Sequence, residues 1–368
     1  MKFTRIVITG GAGFLGSHLC DYFLGAGAEV VCLDDFSSGR EENLKSSAAS
    51  GRLTVKAADV ADGCDVPGPV DAVLHLASPA SPTDYLRMPL ATMKAGSSGT
   101  FHALDLAQRK GARFVLASTS ETYGNPQVHP QPETYWGNVN PVGPRSVYDE
   151  SKRFSEALTM ACHRSQGLDT AIVRIFNTFG PRMRKDDGRA IPTFITQALA
   201  GKPITVTGSG TQSRSLCYVH DLVEGVVRML HSDLAGPVNL GNPEELTVLQ
   251  IAELVRDLTG SSSPIVFTDR PTDDPDVRCP DITLAERLLD WAPRFSVIDG
   301  LKQTIAWFRE NEQAPLEQPT GQAPFLITAV GGIGPLSQAP PHHPAPTPPT
   351  PRTPPPALAP PPENNEAP

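Results

Sequence analysis

The chain has 368 residues with 40 acidic and 31 basic side chains, and its net charge of −9 argues against a nucleic-acid surface, which needs a basic face. A hydrophobic content of 39% and a charged content of 19% are ordinary for a water-soluble enzyme with one large core or two modest ones. Nothing approaches the roughly 18 apolar residues of a membrane span, and Lys2-Phe3-Thr4-Arg5 leads straight into an apolar run with no signal-type segment, so a cytoplasmic protein is expected.

Arg5-Ile6-Val7-Ile8 reads as the first strand, followed by Gly10-Gly11-Ala12-Gly13-Phe14-Leu15-Gly16 and a helical pattern from Ser17 to Leu24. Strand, glycine turn and a helix opening near Phe14 make a dinucleotide fingerprint. Gly10 permits the tight turn, Gly13 lets a pyrophosphate approach the backbone, and Gly16 allows close helix packing. A glycine pattern alone also occurs as a plain structural turn. The second strand, Glu29 to Leu33, ends at Asp34, about eighteen residues past Gly16. A carboxylate there accepts from ribose hydroxyls and repels a 2′-phosphate, which favours NAD over NADP. Asp59-Val60 follows the third strand, Leu53 to Lys56, and suits an adenine pocket.

Further strands are expected at Ala72 to Leu76, Arg113 to Leu116 and Ala171 to Ile175, with a helix from Thr100 to Lys110. All six apolar runs read as buried parallel strands. The expected fold is α/β: a Rossmann, doubly wound parallel sheet over residues 1–189, then a smaller α+β substrate lobe over 190–313, with the chain crossing between the two. Pro203-Ile204-Thr205-Val206 is a short strand of that lobe. Residues 314–368 hold 18 of the 38 prolines and read as a disordered tail or a ligand for a proline-motif-binding partner. Cys20, Cys32, Cys64, Cys162, Cys217 and Cys279 form no Cys-x-x-Cys pair, so free thiols are expected and a metal site is not.

The chemistry concentrates in Ser118-Thr119-Ser120-Glu121 and Tyr148-Asp149-Glu150-Ser151-Lys152. Tyr-x-x-x-Lys puts both side chains on one helical face. Lys152 is then expected to lower the phenol pKa of Tyr148 from roughly 10 toward the working range. Thr119, ending its strand, can share the hydrogen bond of a substrate hydroxyl. His75 reads as a packed strand histidine, and Glu133, Asp186 and Asp187 as loop carboxylates.

With these segments in view, the chain resembles the extended short-chain dehydrogenases/reductases of the NAD-dependent epimerase/dehydratase superfamily, and within them the UDP-glucuronate decarboxylases. The carriers, spread over about residues 3–312, are His75-Leu76-Ala77-Ser78-Pro79-Ala80-Ser81, Tyr135-Trp136-Gly137-Asn138-Val139-Asn140-Pro141, Arg174 to Met183, and Asp273-Asp274-Pro275 with Arg278 and Pro280-Asp281. The resemblance implies oxidation of a sugar C4 with Tyr148 as base and NAD as hydride acceptor. Loss of the C5 carboxylate from the β-keto acid, protonation at C5 and return of the hydride then give UDP-xylose. It makes Thr119, Glu121, Tyr148 and Lys152 catalytic, with Glu121 positioning the ring and assisting the C5 proton through water. It sets Gly10, Gly13, Phe14, Leu15, Gly16, Asp34, Asp35, Ser37, Ser38, Gly39, Asp59, Val60, Leu76, Ser78, Tyr148, Lys152 and Thr178 against NAD. Lys94, Glu121, Asn177, Arg189 and Arg278 would meet UDP-glucuronate, and a homodimer is implied.

Ser120 speaks against the 4,6-dehydratases, which carry an acid there, and Glu121 against the 4-epimerases. Ala95-Gly96, Arg184 and Asp35 depart from the family pattern. Two rival readings stay open: an oxidative decarboxylase that releases UDP-4-keto-pentose and NADH, and a non-catalytic scaffold acting through the proline-rich tail.

Overall fold

The computed structural model describes residues 3–311. The proline-rich tail, with its apolar run Phe325 to Val330, lies outside the described residues.

Six strands form where the apolar β-branched runs predict them: β1 (Arg5–Thr9), β2 (Glu29–Asp34), β3 (Leu53–Ala57), β4 (Ala72–His75), β5 (Arg113–Thr119) and β6 (Thr170–Ile175). A seventh strand, Val238–Leu240, joins them in the parallel order Val238–Leu240, β6, β5, β4, β1, β2, β3. Reversal of strand order beside β1 opens a crevice at the carboxyl ends of the strands, where ligands of doubly wound sheets bind.

Register places like residues side by side. Cys32, Ile8, Leu74, Val115 and Ala171 run across the sheet as one row, and Val31, Val7, Val73 and Phe114 as the next. Because side chains alternate faces, the first row belongs to one hydrophobic core and the second to the core on the opposite side. Each fully buried valine, leucine or isoleucine contributes about 1.5–3 kcal/mol, so the two rows hold the crevice rigid.

β3 departs from the expected burial. Lying at the sheet edge, it is exposed over Thr54–Ala57, because a strand with one neighbour is not covered as an interior strand is. Beyond residue 189 the chain mixes helices and strands as expected. Helices Ala190–Leu199 and Val248–Thr259 pack together beside the parallel pair Ile204–Thr207 and Ile265–Thr268. The strand Val238–Leu240 lies within this stretch of sequence yet pairs with β6.

Candidate active site

The crevice is a cavity of about 550 Å3, within the range of cofactor and substrate sites. Its floor begins at the glycine turn. Gly10 has φ +70°, a conformation that favours glycine, and a Cβ there would lie 2.8 Å from the Ala77 amide nitrogen. A Cβ on Gly16 would run into the Gly10 carbonyl oxygen. The helix α1 (Phe14–Gly25) starts from Gly13 with no side-chain cap and no acidic residue in its first turn, leaving its amides to an anionic group. At the end of β2, the Asp34 carboxylate accepts from the Ala12 and Phe36 amides, each at 2.9 Å. Burial pushes its pKa up while these two bonds pull it down.

All seventeen residues expected against the dinucleotide line this one cavity. Four polar atoms of its lining residues, Ser78 Oγ, Tyr85 Oη, Asn177 Oδ1 and Arg182 Nη1, are buried without a hydrogen-bond partner in the protein. An uncapped helix start, a carboxylate at the second strand and orphaned polar atoms in the same lining fit NAD.

The reacting end is built by β5 and by the helix Ser146–Gln166. Thr119 ends β5, and its Oγ1 accepts from the Glu121 amide at 3.2 Å, capping the turn Ser120–Tyr123. Tyr148 and Lys152 occupy one face of the helix, both buried. The Tyr148 ring stacks on Tyr85, with centroids 5.3 Å apart and planes at 8°. Lys152 Nζ donates to the Ala117 carbonyl at 2.9 Å and lies 5.9 Å from the Tyr148 ring centroid. The expected lowering of the phenol by Lys152 is not what this geometry produces. Burial pushes Tyr148 well above the usual phenol range, and the neighbouring Thr119 hydroxyl counters it only in part. Burial also draws Lys152 down to about 8.

Glu121 sits between two arginines. Arg145 Nη2 donates to Oε2 at 2.7 Å, and Arg278 Nη2 to the same oxygen at 3.0 Å. Burial raises its pKa, yet the two guanidiniums outweigh burial and hold the carboxyl at about 2. Such a group stays ionised throughout the working range and is a poor direct proton donor. Next to Tyr148, Asp149 is buried with Oδ1 unpartnered. Burial first, then the Glu121 charge, raise it to about 7 against the pull of Arg145 and Arg278.

The residues expected at the substrate divide. Glu121, Asn177 and Arg189 line the cavity; Arg189 pairs with Asp187, its Nη2 donating at 2.7 Å. Arg278 is 1% exposed and lies behind Glu121 rather than in the lining, its Nη1 donating to the Ser120 carbonyl at 2.7 Å. Lys94 does not reach the cavity: it ends the helix Pro89–Lys94 and is exposed on the protein surface. Cations to which the sequence reading gave no place in the site also stand in the lining: Arg145 and Arg214, Arg182 of the Arg174 to Met183 motif, and Arg184, noted there only as a departure from the family pattern. Arg145 was within reach of a spacing argument, three residues before Tyr148; Arg214, paired with Asp274 at 3.0 Å, carries no local signal.

His75 is buried and hydrogen-bonded to the Thr9 and Thr100 hydroxyls at 2.8 and 3.2 Å. Glu133 Oε1 accepts from the Asn239 amide at 2.8 Å. All six cysteines are free thiols. No helix among the described residues is long and apolar enough to cross a membrane.

A model of the NAD dependent epimerase/dehydratase family matches residues 6–241. The chain is 49% identical over 310 residues to UDP-glucuronic acid decarboxylase 1 of Arabidopsis thaliana, covering 84% of this chain and 71% of that protein. It is 48% identical over 307 residues to UDP-glucuronic acid decarboxylase 1 of Xenopus tropicalis, covering 83% and 72% respectively. Among solved structures, a variant of UDP-glucuronic acid 4-epimerase from Bacillus cereus in complex with UDP-4-deoxy-4-fluoro-glucuronic acid and NAD superposes with a TM-score of 0.75 at 27% identity, over 83% of this chain and 99% of that one. The chain belongs to the NAD dependent epimerase/dehydratase family.

Proposed function

From this membership we infer that the chain is a carboxy-lyase that converts UDP-glucuronate to UDP-xylose and carbon dioxide through a UDP-4-keto intermediate, with its NAD regenerated. The observation that carries the reading is one cavity holding the dinucleotide fingerprint, Thr119 and Tyr148, and a Glu121 carboxylate clamped by arginines. NAD, when bound, accepts the hydride of C4 and gives it back at the end.

The remaining steps fall to the chain's own residues. Tyr148 takes the proton of the C4 hydroxyl, and Thr119 beside it holds that hydroxyl in line. Lys152, buried and charged below about 8, holds a positive charge 5.9 Å from the Tyr148 ring centroid. Oxidation at C4 makes the substrate a β-keto acid, so the C5 carboxylate leaves as carbon dioxide while its electron pair moves into the ketone. Glu121, ionised at about 2, orients the ring and the water that protonates C5. Ser120 is 2% exposed and not an acid, which suits a substrate with no C6 hydroxyl to expel.

Two finer assignments belong to the same proposal. Residues 1–189 serve as the NAD-binding domain and 190–313 as the substrate lobe, with Val238–Leu240 returning to the first. A cytoplasmic location is supported by free thiols suited to a reducing compartment, and a homodimer belongs to the same reading. Leu90, Phe101 and Phe154, exposed by 75, 59 and 49% on neighbouring helices, support the dimer; Leu90→Asp together with Phe101→Asp should sediment as a monomer.

The deciding experiment incubates the protein with UDP-glucuronate and NAD, following carbon dioxide, NADH and nucleotide sugar together. UDP-xylose with carbon dioxide and no net NADH is expected. Carbon dioxide with equimolar NADH would replace this reading with oxidative release of the UDP-4-keto-pentose.

A further inference from the structure

Away from the cavity, His129, Glu245 and Cys279 come together from three separate segments, and we propose that they form a binding site for a zinc-type divalent transition-metal ion. Their ligand atoms lie within 4.8 Å of one another, and no other such trio occurs among the described residues. Imidazole, carboxylate and thiolate are a donor set for zinc, and three protein ligands leave a fourth tetrahedral place for water. Water and metal have access, because the His129 and Glu245 side chains are 41 and 31% exposed. Cys279, 3% exposed, closes the inner side.

The segments are pinned by bonds that do not use the three ligand side chains, so the trio is held together before any metal arrives. Gln131, fully buried, donates its amide to the Cys279 carbonyl at 2.9 Å and accepts from the Cys279 amide through Oε1 at 2.9 Å. Two residues before it stands His129. Glu245 begins the strand Glu245–Thr247, which pairs antiparallel with Ser213–Ser215, and the Ser215 amide donates to the Arg278 carbonyl at 3.2 Å.

Outer contacts already orient the ligands. Ser213 Oγ donates to Glu245 Oε1 at 2.5 Å, leaving Oε2 toward His129 Nε2 at 2.9 Å. The Cys279 thiol, pushed up by burial, donates to the Pro243 carbonyl at 3.4 Å. Loading replaces the His129–Glu245 hydrogen bond with two metal–ligand bonds. The S–H bond gives way to a sulfur–metal bond, and its proton passes to water. The adjoining residue is Arg278, which grips Ser120 and Glu121. A metal here would therefore tie down, from outside, the backbone that carries that arginine.

The test titrates the full chain, stripped with a chelator, with Co2+ and then Zn2+. One Co2+ per chain should bind with a thiolate-to-cobalt charge-transfer band, and Zn2+ should bleach it. Cys279→Ser should abolish the band. His129→Ala should weaken binding by more than the 10- to 100-fold typical of losing an outer-shell partner. Absence of stoichiometric binding would overturn the site. So would a band that survives in Cys279→Ser, since the metal would then sit on another thiol. Should Cys279→Ser fail to fold, the exposed His129→Ala decides alone: unchanged Co2+ affinity in that variant overturns the proposal.

Discussion

Arg278 reaches Glu121 from behind the cavity wall, its Nη2 3.0 Å from Glu121 Oε2, while Arg145 grips the same oxygen at 2.7 Å from the cavity side. Removing Arg278 leaves a largely buried carboxylate with one partner, and breaking such a pair typically costs about 3–5 kcal/mol. Arg278→Ala should therefore lower the unfolding temperature and raise the Glu121 pKa from about 2. Arg278→Lys keeps the charge but cannot hold both Ser120 O and Glu121 with one planar fork. It should fold normally and lose turnover. An Arg278→Ala protein as stable as the parent, by thermal and urea unfolding, would show that the pair does not hold the wall.

Tyr148→Phe removes a phenol and keeps a ring. The stack on Tyr85, at 5.3 Å between centroids, does not depend on the hydroxyl, so folding and NAD content should be those of the parent. Loss of the base should cost roughly 10^2- to 10^4-fold in kcat. Single-turnover oxidation of UDP-glucuronate measures this directly, and near-parent rates would take the base role from Tyr148.

The sheet was legible because its strands are apolar β-branched runs bounded by turns, and six of seven stood out for that reason. Val238–Leu240 escaped because three residues after Gly236-Pro237 show no period. The edge position of β3 is a property of topology, which Leu53 to Lys56 cannot express locally. At the site, the residues marked by chain-local spacing do line the cavity: the glycine turn, Asp34, and Tyr148 with Lys152. Those set by tertiary pairing carry no such mark. Arg214 enters through Asp274, 60 residues away, and Lys94 is exposed while Ala91 of its helix and Ala95 just after it line the cavity. Even Lys152, correctly placed on the tyrosine face, spends its ammonium on the Ala117 carbonyl.

Asp149 supplies a pH dependence with a definite sign. Burial, then the Glu121 charge, lift it to about 7 from an ordinary value of 3.8. Below 7 it is neutral, so Arg145 on the cavity side meets a carboxylate substrate with less opposition. KM for UDP-glucuronate should fall as pH drops through 7, and Asp149→Asn should show the low-pH KM at every pH. The same raised pKa means that Asp149 contributes stability below its unfolded value and loses it as pH rises through 7. Asp149→Asn should accordingly gain more stability over the parent at pH 8 than at pH 5, where only part of the loss has occurred. A KM profile that keeps its step near 7 in the variant would assign the step to another group.

Arg184 closes the cofactor end. Its Nη2 donates to both Asp84 carboxylate oxygens at 2.9 Å, and its Nη1 to the Ser38 carbonyl at 3.2 Å. Ser38 lies in the loop after β2 and Asp84 in the helix Pro82–Arg87 after β4, so one guanidinium joins the two loops that flank the glycine turn of β1. Arg40 and Asp186, 3.6 Å apart, add a second tie from the same segment. A dinucleotide seated on that turn is expected to exchange when the tie opens. Charged hydrogen bonds of this kind are worth about 1.5–3 kcal/mol, or roughly ten- to hundredfold in rate. Arg184→Ala and Asp84→Asn should each speed both entry and release of NAD by such a factor, with affinity much less changed, measured by exchange of bound for labelled NAD. If Arg184 acts by touching the dinucleotide itself, Arg184→Ala will raise release and weaken affinity while Asp84→Asn leaves release untouched. Unchanged exchange in both variants would remove the clasp altogether, and cofactor retention through the catalytic cycle would then rest on the glycine turn and Asp34.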